Sequence, residues 1–268
     1  MEARNQLRNR RLAVVALFVL CIPFPLAFGH QTAAPVLDEI LDRLESNLQR
    51  YDKQVPNFFC DEHVVSLLVY GKHQQSTVTD SVFRLKRVSG DHEKEVLSES
   101  RELKAVNGTP TEGADVTGPA VLGGVFSGGL NAVSLSQKAC MRYMLQPLKT
   151  ERADEPYVVQ FESLPGAKHR SGCVLNEEGS GRVFIDRASM QVKRMELTVP
   201  DHVIMPATVG VWRISIDYSP VLLGDKTFWM PATIISTATA SQESRTVWSF
   251  DARYSNYHKL EVTSRIVP

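Results

Sequence analysis

The sequence predicts a mainly β protein with helices (α+β): a curved antiparallel sheet or incomplete barrel of about eleven strands, covered by an N-terminal helix. Three observations carry this expectation. Strand-like stretches separated by Gly, Asn, Asp and Pro turn signals fill most of the chain beyond residue 60. Two of them alternate cleanly between an apolar, aromatic side and a charged side. An amphipathic helical segment precedes them all.

That helix is expected over 36–52. Pro35 sits where a first turn tolerates proline, and Leu37, Ile40, Leu41, Leu44, Leu48 and Tyr51 recur at helical spacing. Asp38 and Glu39 open it and Arg50 and Lys53 close it, the charge order that the helix dipole favours. Its polar face mixes both signs, which suits a helix covering one face of a sheet better than a basic helix lying on a membrane.

Pro56 ends the helix, and strands are expected at 61–70, 76–89 and 93–106. In the second, Val78, Val82, Arg84 and Lys86 fall on one face and Phe83, Leu85 and Arg87 on the other, so neither face is more than half apolar. Residues 107–138 change character. Gly108, Gly113, Gly118, Gly123, Gly124, Gly128 and Gly129 interrupt small apolar residues, with a short helix near Leu130. Such a stretch reads either as a mobile flap or as an irregular connection packed on the sheet.

Further strands are expected at 140–148, 156–163, 181–186, 190–199, 210–219, 227–239, 244–254 and 258–267. The alternation is cleanest in two. Trp212, Ile214, Ile216 and Tyr218 oppose Val211, Arg213, Ser215 and Asp217, and Thr246, Trp248, Phe250, Ala252 and Tyr254 oppose Arg245, Val247, Ser249, Asp251 and Arg253. A meander with one such face must cover it with helices, with its own curvature or with a ligand.

The N-terminus has the layout of a secretory signal peptide. Arg4, Arg8, Arg10 and Arg11 precede an uninterrupted apolar run from Leu12 to Ile22, after which come Pro23, Pro25, Ala27 and Gly29. A membrane span needs about twenty residues, so a cleaved signal (1–29, cut after Gly29) is expected over a retained anchor. Leu20 before Cys21 argues against a lipidation site. The remainder, 30–268, is expected to be a single domain in the periplasm or secreted.

The whole chain has 30 basic and 30 acidic residues, and loss of the leader leaves 26 against 29. A nucleic-acid binder would carry a basic excess, so that partner class falls away. The remaining cysteines are Cys60, Cys140 and Cys173, which allow one intramolecular bridge. If 140–148 and 156–163 form a hairpin, the loop carrying Cys173 returns beside Cys140, so a Cys140–Cys173 disulfide is expected.

Catalytic motifs are not found. GVFSGG at 124–129 places Ser127 wrongly for a nucleophile elbow. The seven histidines are scattered, and the densest cluster, CDEH at 60–63, would put only Asp61 and His63 on one strand face, too few for a metal site. Adjacent carboxylates such as Glu177 and Glu178 point apart on a strand, and the glycine-rich stretch lacks the Lys and Ser or Thr of a phosphate loop. No enzyme, metal or cofactor is expected.

The stretch GRVFIDRASMQVKRMELTVPD, then WRISIDYSPVLLGDKTFWMPATI, then YSNYHKLEVTSRI resembles the C-terminal strands of the bacterial lipoprotein localisation factor (LolA-like) superfamily. VPNFFCDEH after the first helix, and the VNGTP turn, resemble secreted relatives with the same order of elements. The resemblance implies a half-barrel whose apolar concave face receives lipid or acyl chains, hence binding and not catalysis. On that reading Trp212, Ile214, Ile216, Tyr218, Trp248 and Phe250 line an apolar cleft for a lipid or an acylated protein. The bland reading makes them sheet core beneath the helix. A scaffold docking an envelope protein through a sheet edge or the glycine-rich flap is the alternative function.

Overall fold

Leu37–Gln54 forms the expected helix, α1, with Ile40, Leu41 and Leu44 fully buried and Leu37, Leu48 and Tyr51 packed beside them. Helical spacing places these side chains on one stripe. The Val55 N–H bonds back to the Tyr51 carbonyl at 2.9 Å, and Pro56 prevents a further turn. The computed structural model describes residues 36–89, 95–111, 124–148, 152, 154–175, 177–205, 208–241 and 245–260, all within one unit, Pro35–Pro268. The expected leader, Gly113, Gly118 and Gly123, and most of the strand expected at 258–267 lie outside the described residues.

The strands are β1 (Phe58–Tyr70), β2 (His73–Ser89), β3 (Glu95–Val106), β4 (Thr109–Pro110), β5 (Met141–Leu145), β6 (Tyr157–Ser163), β7 (Ser180–Ile185), β8 (Val192–Met205), β9 (Thr208–Leu223), β10 (Lys226–Ala240) and β11 (Arg245–Lys259). They form a single antiparallel sheet in the order β4-β3-β2-β1-β11-β10-β9-β8-β7-β6-β5. The sheet is curved and unclosed, so the mainly β half-barrel class is the observed one. Two-residue hairpins fix the register where Gly71 (φ 59°) and Gly224 (φ 69°) supply the first turn position and Asn107–Gly108 (φ 49° and 77°) supplies both.

One junction is not sequential: β1 pairs with β11, joining an N-terminal meander to a C-terminal one. As a result β4 and β5, neighbours in sequence, lie on opposite edges. The described part of their connection holds a one-turn helix, α2 (Val125–Gly128), and 3-10 turns at Gly129–Val133 and Leu135–Gln137. Phe126 and Val133 are buried, so 124–138 packs on the sheet instead of standing off it as a flap. Phe126 lies 4.5 Å from the Phe83 ring, 4.8 Å from Tyr254 and 5.9 Å from Phe58.

The C-terminal strand corrects the sequence reading. Residues 245–259 are continuous, not a strand to 254 followed by another from 258. The break is a β-bulge: Phe59 pairs with His258 and Asp61 with Ser255, so Asn256 and Tyr257 together oppose Cys60. Asn256 takes the left-handed conformation (φ 54°) and its amide donates to Asp61 Oδ2 at 2.6 Å. The extra residue reverses the alternation, so Tyr257 as well as Tyr254 faces the core.

The hairpin expected of β5 and β6 is present, with Met141 opposite Ser163. It brings Cys140 and Cys173 to a Cα separation of 5.7 Å, where they form a disulfide, while Cys60 is free and buried. Gln137 braces the same loop, donating to the Gly172 carbonyl at 3.2 Å and accepting from the Val174 N–H at 2.8 Å.

Closing a segment of 33 residues removes conformations from the unfolded chain, a contribution of about 3–4 kcal/mol. Peptide mapping without reduction is expected to recover a linked Cys140–Cys173 peptide, and the Cys140→Ser, Cys173→Ser double variant to unfold at markedly lower urea. A linked Cys60 peptide, or an unchanged midpoint, contradicts this account.

Candidate functional site

The concave face is not filled evenly. A cavity of about 430 Å³ remains beside the C-terminal half of α1, a size within the range of small-molecule sites. α1 contributes Leu44, Asn47, Leu48 and Tyr51; the connection contributes Phe126, Ser127, Leu130, Asn131 and Ser134. The opposite walls are Leu97 from β3, Val192 from β8, Tyr218 from β9 and the start of β10 from Lys226 to Pro231. The lining surface is mainly apolar, but Glu45, Gln49, Arg50, Asp52, Gln54 and Gln191 also border it, and Leu48, Leu97, Leu130 and Trp229 are only half-buried.

Gly129 lets the connection lie close to the sheet. A Cβ there would come within 2.5 Å of Ile216 Cδ1 and 3.2 Å of the Tyr218 hydroxyl. The Tyr218 and Tyr51 hydroxyls are both buried and neither has a hydrogen-bond partner among the described residues. Burial pushes each phenol far above its ordinary value, so both remain protonated donors. The Tyr51 ring stands edge-on to Phe228 with centroids 6.5 Å apart.

Charge holds the connection in place. On β3, Glu99 accepts hydrogen bonds from the Gly124 N–H (2.9 Å), the Ser127 N–H (2.9 Å) and the Ser127 hydroxyl (2.8 Å). Two residues on, Arg101 donates through Nε to both oxygens of Glu62, at 2.9 and 2.8 Å, and reaches within 3.7 Å of Glu99. The Glu62 side chain is 1 % exposed and also accepts from the Ser81 hydroxyl at 2.8 Å. Desolvation, the largest single effect, would lower the Arg101 pKa, but the charge and hydrogen bonds of Glu62, with Tyr254 and Glu99, together outweigh it and the guanidinium stays above its ordinary value. Phe83 lies beneath, with the guanidinium carbon 4.9 Å from the ring centroid.

From α1, Glu45 binds the connection too, accepting from the Ser134 hydroxyl at 3.0 Å and the Leu135 N–H at 2.9 Å. Desolvation works to raise its pKa, yet hydrogen bonds from Gln49, Leu135 and Ser134 prevail and hold the carboxyl below its ordinary 4.5.

The six residues expected to line a cleft share the inward face in cross-strand rows. Trp212 stands opposite Ala238 and so in line with Trp248, and Ile214 stands opposite Ser236 and in line with Phe250. Of the six, only Tyr218 reaches the cavity. Ile214, Ile216 and Phe250 are buried in the main core, with Gly129 of the connection resting on Ile216. Trp212 donates to the Ser236 hydroxyl at 2.7 Å and stacks on His202 at 4.8 Å; Trp248 stacks on Phe250 at 6.5 Å. Asp61 and His63 share an exposed face but bond elsewhere, His63 to Asp80 at 2.7 Å.

Sequence reasoning missed most of the cavity. Tyr51 was legible only as helical core, and Leu97, Leu130 and Phe228 belong to different elements whose convergence no spacing announces. The sequence reading does not single out Glu62 or Glu99 as buried. The one available signal was parity: both fall on the same alternation as the apolar residues of their strands, Phe58 and Val64 in β1 and Leu97 in β3.

No protein-family model matches the chain, and no curated protein matches it. Among solved structures it is similar to an outer membrane lipoprotein-sorting protein domain from Vibrio parahaemolyticus, at 10 % identity over 82 % of this chain and 92 % of that one, with a TM-score of 0.39. A LolA superfamily protein from Nitrosomonas europaea matches at 11 % identity over 86 % of this chain and 96 % of its own, TM-score 0.35. A DUF1329 family protein from Desulfovibrio piger matches at 9 % identity over 86 % and 96 %, TM-score 0.41.

Truncation of Arg101 to Met leaves two carboxylates facing a site closed to water and is expected to cost about 3–5 kcal/mol in urea unfolding. A loss below about 1 kcal/mol means Glu62 is not held by this pair. Glu45 makes a pH-dependent contribution. Because its folded pKa is depressed, that contribution is present above about pH 4.5 and disappears as pH falls through the folded value. The Tm difference between wild type and Glu45→Gln is therefore expected to be largest above pH 5 and to close toward pH 3; a constant difference refutes it.

Proposed function

We propose that this protein is an exported, non-enzymatic binding or carrier module that shelters a hydrophobic chain, of the kind found in lipids and lipoprotein acyl groups, in the cavity beside α1. One observation carries the reading: a space of about 430 Å³, with a mainly apolar lining surface bordered by polar and charged side chains, persists inside a fold that otherwise packs its concave face with a helix and an aromatic plug. Each methylene moved from water into such a space contributes about 0.8 kcal/mol, so a chain of some ten carbons offsets the several kcal/mol that association costs. Export is supported by the leader-like N-terminal sequence and by a disulfide, which persists in oxidising compartments.

Docking of an envelope protein at a sheet edge is the less supported alternative. One edge strand, β5, is five residues long; at the other edge β4 has two residues and β3 beside it carries Glu95, Glu102 and Lys104 exposed, the features that discourage strand addition.

N-phenyl-1-naphthylamine, which brightens in apolar surroundings, is expected to bind the purified protein at micromolar concentration. Leu130→Trp fills the space between the connection and α1, and is expected to weaken that binding at least tenfold while leaving Tm within a few degrees. A dye that does not bind, or that binds a folded Leu130→Trp protein equally well, removes the cavity as the ligand site.

A further inference from the structure

The cavity has a buried end and an open one. Leu44, Phe126, Val192 and Phe228 line it and are buried, whereas its exposed lining residues lie mostly on the second half of α1 and at the start of β10: Arg50, Asp52 and Gln54 from the helix, Lys226 and Thr227 from the strand. The mouth therefore lies between these two elements. Arg50 and Gln54 are four residues apart and share one stripe of the helix surface. Lys226 reaches that stripe, its Nζ donating to Gln54 Oε1 at 3.5 Å. A guanidinium and an ammonium thus come from separate elements to one side of the opening. The acidic lining residues are placed differently. Asp52 falls between Arg50 and Gln54 in sequence and so stands about 200° around the helix from each, and the Glu45 carboxylate is taken up by Ser134, Leu135 and Gln49.

Size limits what such a space can hold. A methylene group is about the size of a water molecule, whose share of liquid volume is about 30 Å³, so a space of about 430 Å³ takes about fourteen of them. That is one chain of ordinary lipid length, and three such chains would need about three times the space. A chain laid in from the buried end brings its head to the mouth, beside Arg50 and Lys226. A carboxylate or phosphate at that position keeps its contact with water, so it escapes the cost of burying a charge, and it accepts charge-assisted hydrogen bonds from both cations. A cationic head meets two like charges there instead.

We infer that the cavity takes one single-chain amphiphile with an anionic head, a carboxylate or a phosphate monoester, its tail among the buried lining residues and its head at Arg50 and Lys226. This rests on the cavity being the ligand site, as proposed above, and narrows what that site accepts: a lipid or lipoprotein with two or three chains exceeds the space.

The test displaces the same naphthylamine probe from the purified protein with competitors that share a dodecyl tail and differ in head: dodecanoate, dodecyl phosphate and dodecyltrimethylammonium. Each is used below its micelle concentration and at low ionic strength, where exposed charges are least screened. The better of the two anions is expected to bind about tenfold more tightly than the cation, and which anion it is identifies the head. The Arg50→Gln, Lys226→Gln variant is expected to bring that ratio to within about threefold, and Arg50→Glu, Lys226→Glu to reverse it. Both side chains are exposed, so Tm is expected to stay within a few degrees in each. A wild-type ratio near one, or a ratio that the glutamine variant leaves intact, overturns the head-group assignment. In native mass spectrometry the protein is expected to retain one tetradecanoate and no tripalmitoylated lipopeptide; retained lipopeptide, or two or more tetradecanoates, overturns the single-chain class. A probe that fails to bind wild type strikes the carrier reading itself. Should a double variant fail to fold, the single glutamine variants carry the same comparison, each lowering the ratio about threefold.

Discussion

Everything in this fold follows from the pairing of its first strand with its last. β1 and β11 hydrogen-bond along ten registered positions, which welds two meanders into one sheet and sends β4 and β5 to opposite edges. A chain so arranged has no neighbouring strand to carry it from one edge to the other. The connection between β4 and β5 must therefore make a long traverse, and its described part lies over the concave face with Phe126 and Val133 buried. α1, which leads directly into β1, has to cover the rest. The inner space is thus shared by two elements of unequal length and composition, and the cavity is what their sum does not fill.

The concave face is also divided chemically. Toward β8, β9 and β10 it is aliphatic, with Met195, Leu197, Ile214, Ile216 and Ile234 in adjacent rows. Along β1 and β2 it carries Glu62, Ser66, Thr77, Thr79 and Ser81, all buried. Arg101 resolves the charge of that polar half, and Glu99 next to it extends the network to the N–H groups that begin α2. A buried ion pair is weak evidence of stability, since desolvation offsets most of its attraction. What this one supplies is position: it sets where Phe126, Ser127 and Leu130 stand, and so sets one wall of the cavity.

Elements whose identity is written in local periodicity were legible. The helix from its 37-40-41-44 spacing, β9 from its unbroken alternation and the Cys140–Cys173 bridge from the hairpin between them and β6 all depend on neighbours close in sequence. The bulge at Asn256 was not, because an asparagine in the left-handed region looks the same in sequence as one in a turn, and only pairing across to Cys60 distinguishes the two. Tyr257 was lost with it, since its inward direction depends on that extra residue. β4, two residues long, has no pattern to read. The cleft residues illustrate a different limit: alternation reports which side of a strand is inward, and it did so for Trp212 through Tyr218, but it does not report what lies above that side. Ile216 and Tyr218 are two residues apart on the same face; Gly129 rests against both, yet only Tyr218 also lines the cavity.

That difference bears on why the space persists. Proteins pack their interiors densely, and an aliphatic residue in place of a polar one would close a gap of this kind and stabilise the fold. The lining includes a phenol from the helix and a phenol from the sheet, each with a buried hydroxyl that the surrounding chain leaves without a partner among the described residues. Departures from packing and hydrogen-bond satisfaction concentrate where function requires them. Other buried polar groups are divided: Glu62 has Ser81 and Arg101, Trp212 has Ser236 and Gln137 has both sides of the Cys173 loop, whereas the Ser215 and Tyr254 hydroxyls and Arg101 Nη2 have no partner among the described residues. Unmatched groups therefore occur in the core as well as beside the cavity, so it is the unfilled space, and not its hydroxyls, that sets this part of the concave face apart.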